Sequence, residues 1–146
     1  MVRGPHIGDI ERDIQQRAGQ KDESLKISGL DKKYITDYKG FKVYEVDGEW
    51  IRNNIDVIYG SGGHGRVHPF IPNDEIWISK GHNSSYQART IIHEINEYEK
   101  MKDLPYYHAH KNSQKEEFLH PEDEEMLKKI LNRKKHGISD LKGKNE

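Results

Sequence analysis

Within the apolar middle of this 146-residue chain, every strand-like segment comes before every helix-like one. That order is the tightest constraint on the fold. Strands and helices in alternation would build a parallel sheet. Strands first and helices after argue for α+β, here a small antiparallel sheet in the N-terminal half with two or three helices against one side. Residues 34 to 79 read as strands. Phe41, Val43 and Val46 sit in a strand-like run ended by Asp47-Gly48, a turn signal. Trp50 and Ile51 are expected to begin a second strand, and Ile55, Val57 and Tyr59 alternate with other residues. Ser61-Gly62-Gly63-His64-Gly65 is expected to be a loop, and Val67 to Ile71 reads as extended, confined to an edge by Pro69 and Pro72. Glu75-Ile76-Trp77-Ile78-Ser79 is a short strand with Ile76 and Ile78 on one face.

Asn83-Ser84-Ser85 then gives a cap signal for a helix running from about Ser85 to Lys102. A break at Asp103-Leu104-Pro105 separates it from a second helix, about Tyr106 to Leu119. Pro121 starts a third, with acidic residues in its first turn, Lys and Arg in its last, and Gly137 as its stop. Met126, Leu127, Ile130 and Leu131 give it one apolar stripe. The implied domain organisation is a polar arm over residues 1 to 30, a single domain over 31 to 136 and a disordered tail over 137 to 146. Ile7, Ile10 and Ile14 have helical spacing within the arm, where a loose segment is the preferred reading.

Composition removes several kinds of chemistry. The chain has no cysteine, so disulfides, thiolate ligands and cysteine nucleophiles are excluded, and a metal site must use His, Asp, Glu, carbonyl oxygen or water. A net charge of −1 gives no basic excess pointing to nucleic acid. The basic run Lys128 to Lys135 follows an acidic segment and reads as helix-end charge placement. No apolar run approaches the length of a membrane span, and the N-terminus lacks the apolar stretch of a signal peptide, so a soluble cytoplasmic protein is expected.

The first helix carries His93-Glu94-Ile95-Asn96-Glu97. His93 and Glu97 stand one turn apart on one face and can grip one ion. Glu94 lies about 100° around the helix, where it could reach water on that ion without being a ligand. Ala88, Ile91, Ile92, Ile95 and Tyr98 form the opposite, core-facing side. Tyr86, Thr90, His93 and Glu97 therefore point away from the main core, and by themselves read first as a solvated polar face. The second helix shifts the balance. Tyr106, His110, Ser113 and Glu117 share one stripe, and few apolar residues compete to be its buried side. The short link makes the helices antiparallel neighbours, so the two polar stripes meet. Unpaired His and Glu are costly to bury, and a shared cation removes that cost. The expected ligands are His93, Glu97 and His110 on one divalent ion, zinc first, with iron, manganese or nickel also suited. Glu117 is either a fourth ligand or a partner that holds His110 or a tyrosine.

Other residues divide similarly. His64 could approach the metal or a substrate, but a plain hairpin turn is the preferred reading of its loop. His68 reads as an exposed edge residue, His108 points elsewhere on the helix, and His82, His120 and His136 look like boundary residues. Tyr106 could stabilise an oxyanion on the substrate side, though packing between helices explains it as well. A stacking platform of Trp50, Trp77, Tyr106 and Tyr107 for bases is outweighed by a core role for Trp77.

The string from His93 to Glu117 resembles two groups of proteins. More loosely, it resembles the HExxH helix of zincin-like metallopeptidases, departing where Glu97 replaces the second His. More closely, it resembles small uncharacterised phage and microbial proteins with a strand like Glu75 to Ile78, then His93, Glu94, Glu97, Met101, Tyr106, Ala109, His110 and Glu116 or Glu117. The Asp47-Gly48-Glu49 turn, the Arg52-Asn53 pair and the Gly62-Gly63-His64 loop also fit, so the resemblance spans roughly residues 45 to 118. It departs at Asp103-Leu104, where a Gly is usual and the link is one residue shorter. The resemblance implies a metal site. The function expected is a metal-dependent hydrolase, peptidase-like, with Glu94 as general base and a peptide, another amide or a phosphoester as substrate. The alternative is a binding or inhibitory module stapled by a structural ion.

Overall fold

The computed structural model describes residues 29–135. The expectations for the N-terminal arm, the C-terminal tail and Gly137 as a helix stop lie outside those residues. The chain is α+β, with a four-stranded sheet built first and its principal helices after it. Strand β1 (Lys32–Tyr38) and strand β2 (Phe41–Val46) form an antiparallel hairpin. Its turn is Lys39-Gly40, both at positive φ, 51° and 86°. That is the two-residue turn whose twist matches the strands it joins, and Gly40 takes its conformation without a Cβ penalty.

The sheet is mixed rather than wholly antiparallel. Strand β3 (Gly62–His64) pairs antiparallel with strand β4 (Glu75–Ser79), but β2 and β4 run parallel, in the order β1-β2-β4-β3. Parallel neighbours need a crossover of a dozen or more residues. Residues 47–74 supply it, and they correct four expectations. Trp50 and Ile51 begin no strand but lie in helix α1 (Gly48–Asn54), because Asp47 accepts a hydrogen bond from Trp50 N at 3.1 Å and caps it. Ile55, Val57 and Tyr59 come next, in turns, with Tyr59 buried and Val57 exposed. Residues 67–71 are turns too, tucking Val67, Phe70 and Ile71 inside. The glycine-rich segment, expected to be a loop, supplies β3.

The crossover also covers the sheet's second face. One face packs Ile35, Val43, Ile76 and Ile78 against helix α2 (Ser84–Lys100) and helix α4 (Pro121–Lys135). The other packs Trp77 with Val46, Ile51, Tyr59, Phe70 and Ile71. Trp77 thus has the core role expected of it, and Ile76 and Ile78 share the helix-facing side. Each such side chain, fully buried, contributes about 1.5–3 kcal/mol.

Helix α2 starts where Asn83 accepts from Tyr86 N at 2.8 Å, and it buries Ala88, Ile91, Ile92 and Ile95 on the sheet. Helix α4 docks through Leu127 and Leu131. Helix α3 (Tyr106–Glu116) lies between them in sequence and buries only Ala109 and Ser113 fully. One glycine sets how closely α2 crosses the edge strand. A Cβ on Gly62 would come within 2.6 Å of Thr90 Cγ2 and 2.9 Å of the Trp77 carbonyl oxygen. Without that side chain, the polar face of α2 can rest directly over β3. No described helix is long and apolar enough to cross a membrane.

Candidate metal centre

The polar face of α2, which as a lone helix reads first as solvated, is buried. Thr90, His93, Glu94 and Glu97 are all under 9 % exposed, while Tyr86 stays exposed at the N-terminal end. Two elements cover the buried stretch. Helix α3 meets it from one side and β3 from beneath.

His93 Nε2, Glu97 Oε2 and His110 Nδ1 converge. His110 Nδ1 lies 2.6 Å from Glu97 Oε2, His93 Nε2 lies 3.3 Å from the same oxygen, and the two imidazole nitrogens are 3.2 Å apart. The three residues form a group that could hold a metal ion. Each is braced from behind. His93 Nδ1 meets Glu117 Oε2 at 2.9 Å, so Glu117 backs the far nitrogen of His93 rather than joining the three atoms or holding His110. The Tyr106 ring stacks on His110, with centroids 5.3 Å apart and planes 25° from parallel. Glu97 Oε1 receives His64 Nε2 at 2.7 Å.

His64 is the residue that sequence reasoning undervalued. It is wholly buried on β3, opposite Ile76 and under α2, with its ring against Glu97 and outside the lining of the cavity. A hairpin turn there leaves it exposed, and a strand turns it inward. The signal that could have found it is the Gly62-x-His64 alternation, which puts a small residue and a ligand-type residue on one face. His68 is also buried, not exposed at an edge, with Nδ1 3.5 Å from Asp56 Oδ2 and its ring against Tyr59. His82 and His108 are exposed, and His120 lies 3.4 Å from Glu116.

A cavity of about 330 Å³ opens on the converging atoms. Its walls include Gly60, Ser61, Gly62 and Thr90 on one side, and Tyr106, Gln114 and Glu117 on the other. Glu94 lines it, 8 % exposed, with Oε1 4.0 Å from His64 Nε2. His64, Glu94 and Glu97 form a second group within metal-holding distance, sharing Glu97 with the first.

Three carboxylates and three imidazoles crowd this small volume, and the shifts fall on Glu94, Glu97 and His93. Burial and the charge of Glu97 push the Glu94 carboxyl up to about 8. Burial works against Glu97 as well, but hydrogen bonds from His110, His64 and His93 outweigh it and hold this carboxyl well below its usual range. Burial would lower His93, yet its bond to Glu97 and the charges of Glu94, Glu97 and Glu117 lift the imidazole to about 9. The site is thus an anionic pocket that attracts positive charge, whether protons or a cation. No family model, curated protein or solved structure matches the chain.

Proposed function

We propose that this chain is a metal-dependent hydrolase, with a divalent ion on His93, Glu97 and His110. The carrying observation is that three donor atoms from two helices lie 2.6–3.3 Å apart at a cavity wall. Ligands about 2.0–2.1 Å from a tetrahedral ion stand about 3.3 Å apart, so the trio needs little movement to bind zinc. Iron or manganese would also accept this oxygen and imidazole set. Three protein ligands leave a position facing the cavity for water or substrate.

The ion would supply Lewis-acid polarisation of water and of a substrate carbonyl or phosphoryl oxygen. Glu94 reaches into the same cavity from the next position around α2 and takes the proton from attacking water. A divalent ion beside it would favour its carboxylate form, so Glu94 can accept that proton and then pass it on to a leaving amine. Glu117 accepts from His93 Nδ1–H and so leaves Nε2 free to ligate. A peptide or another amide is the favoured substrate class.

The first test is metal content of untagged protein purified without added metal, for wild type and His110→Ala. About one ion per chain, lost in the variant, is expected. Glu94→Gln should keep the ion and the melting temperature while hydrolysis of a peptide panel falls about 10²–10⁴-fold. A wild type that carries no ion, and that zinc, manganese and iron(II) fail to stabilise, would sink the metal reading. A second reading, a binding module stapled by the ion, draws on the thin apolar contact of α3. Under it, Glu94→Gln changes nothing.

A further inference from the structure

His64 is the one imidazole of the site that does not line the cavity, and it is 0 % exposed. Its tautomer is fixed by a neighbour. Arg66 N donates to His64 Nδ1 at 3.2 Å, and a nitrogen that accepts an N–H cannot carry a proton itself. The ring proton therefore sits on Nε2, which points at Glu97 Oε1, 2.7 Å away. That nitrogen has no lone pair to give a metal. The ring is also held in place, edge against Tyr98 with centroids 5.5 Å apart, while Arg66 covers the other side of the contact by lying over the Tyr98 ring.

We propose that His64 is a positioning residue, and that its Nε2–H engages Oε1 of Glu97 so that this carboxylate offers the ion Oε2 alone. The inference rests on the metal reading above. A Glu with both oxygens free could close over an ion through both, filling the position that water or substrate needs. With Oε1 taken by His64, Glu97 stays a one-oxygen ligand and the ion stays open toward the cavity. The arrangement matches the bracing of His93 by Glu117, with donor and acceptor exchanged. The rival arrangement is a two-ion centre, with Glu97 bridging and His64 and Glu94 ligating a second ion.

The test uses the full chain saturated with zinc. Bound ions are counted, and X-ray absorption counts the imidazoles on them, for wild type, His64→Gln and His64→Leu. One zinc with two imidazoles is expected in the wild type. The glutamine amide can place an N–H near the former Nε2 but is a poor zinc ligand, so His64→Gln should keep the wild-type coordination number in the absorption spectrum, while in His64→Leu the freed Oε1 adds one oxygen to the zinc shell. Two zinc ions per wild-type chain, or a third imidazole on the ion, would overturn the proposal. So would a glutamine variant that gains the extra oxygen, or a leucine variant that does not. Should the leucine variant fail to fold, the absorption spectrum and the glutamine variant still decide. A wild type that takes up no zinc overturns the metal centre itself, an outcome distinct from all of these.

Discussion

Helices α3 and α4 both pack on α2, and they are held by opposite means. Helix α4 drives Leu127 and Leu131 into a core shared with Ile76, Ile78 and Ile91. Helix α3 buries Ala109 and Ser113 and meets α2 largely through polar pairs: His110 on Glu97, Glu116 on Lys100, and its C-cap Glu117 on His93. The first contact is non-directional and indifferent to pH. The second stands only while every donor finds its acceptor, because a buried polar group left unpaired costs more than a good bond returns. The molecule thus keeps one helix on an apolar core and places its candidate metal centre under the other.

That contrast can be broken most forcefully at α4. Leu127→Ala should destabilise the chain by about 2–5 kcal/mol in chemical denaturation, equally with and without chelator. A cost that depended on metal would mean the two interfaces are one unit. Chelation comes next. Stripping the ion should lower hydrogen-exchange protection of α3 amides about tenfold or more while α4 keeps its own. Equal loss in both helices would erase the distinction.

The pH dependence of the metal-free protein sharpens it further. His93 has a raised pKa, so its contribution is complete below about 6.5 and is lost as pH rises through about 9. Glu94 keeps, up to about 8, a proton that the unfolded chain releases near 4.5. Both effects run the same way, and calorimetry in chelator should show the melting temperature falling from pH 5 to 9. An added ion, which needs deprotonated ligands, should raise it more at the upper end. A flat profile would mean the carboxylates and imidazoles are not coupled as described. The smallest effect belongs to Arg89, whose pair with Glu124 at 3.1 Å joins α2 to α4 at a half-exposed position. Arg89→Ala should cost under about 1 kcal/mol and leave metal binding untouched.

The legible parts of this fold were the long periodic ones. Helices α2 and α4 announce themselves through Asn83, Pro121 and their apolar stripes, and β4 through its run of Ile and Trp. The converging trio was legible because helical spacing is short-range: His93 and Glu97 share a face wherever that helix sits. The hidden parts depend on distant partners. Asp47-Gly48 is both a turn and a cap signal, and the packing of Ile51 into the second core selects the cap. Gly62-Gly63-His64 has no strand propensity, and only pairing with β4 and the approach of α2 make it one. The parallel β2–β4 pairing had a trace in the length of chain between them, but the burial of both sheet faces did not.

The bracing residue and the atoms it serves come from very different chain distances. His93 and His110 are 17 positions apart, while His64 and Glu97 are 33 apart. Closing the longer loop costs about 0.6 kcal/mol more in chain entropy, on top of the crossover that must fold first. The α2–α3 hairpin can therefore gather its three donor atoms early, from local contacts alone. The hydrogen bond from β3, by contrast, needs the sheet to be closed. If the proposed ion were taken up before the sheet closed, it would meet a Glu97 free to use both oxygens, and only the finished fold would restrict that carboxylate to one.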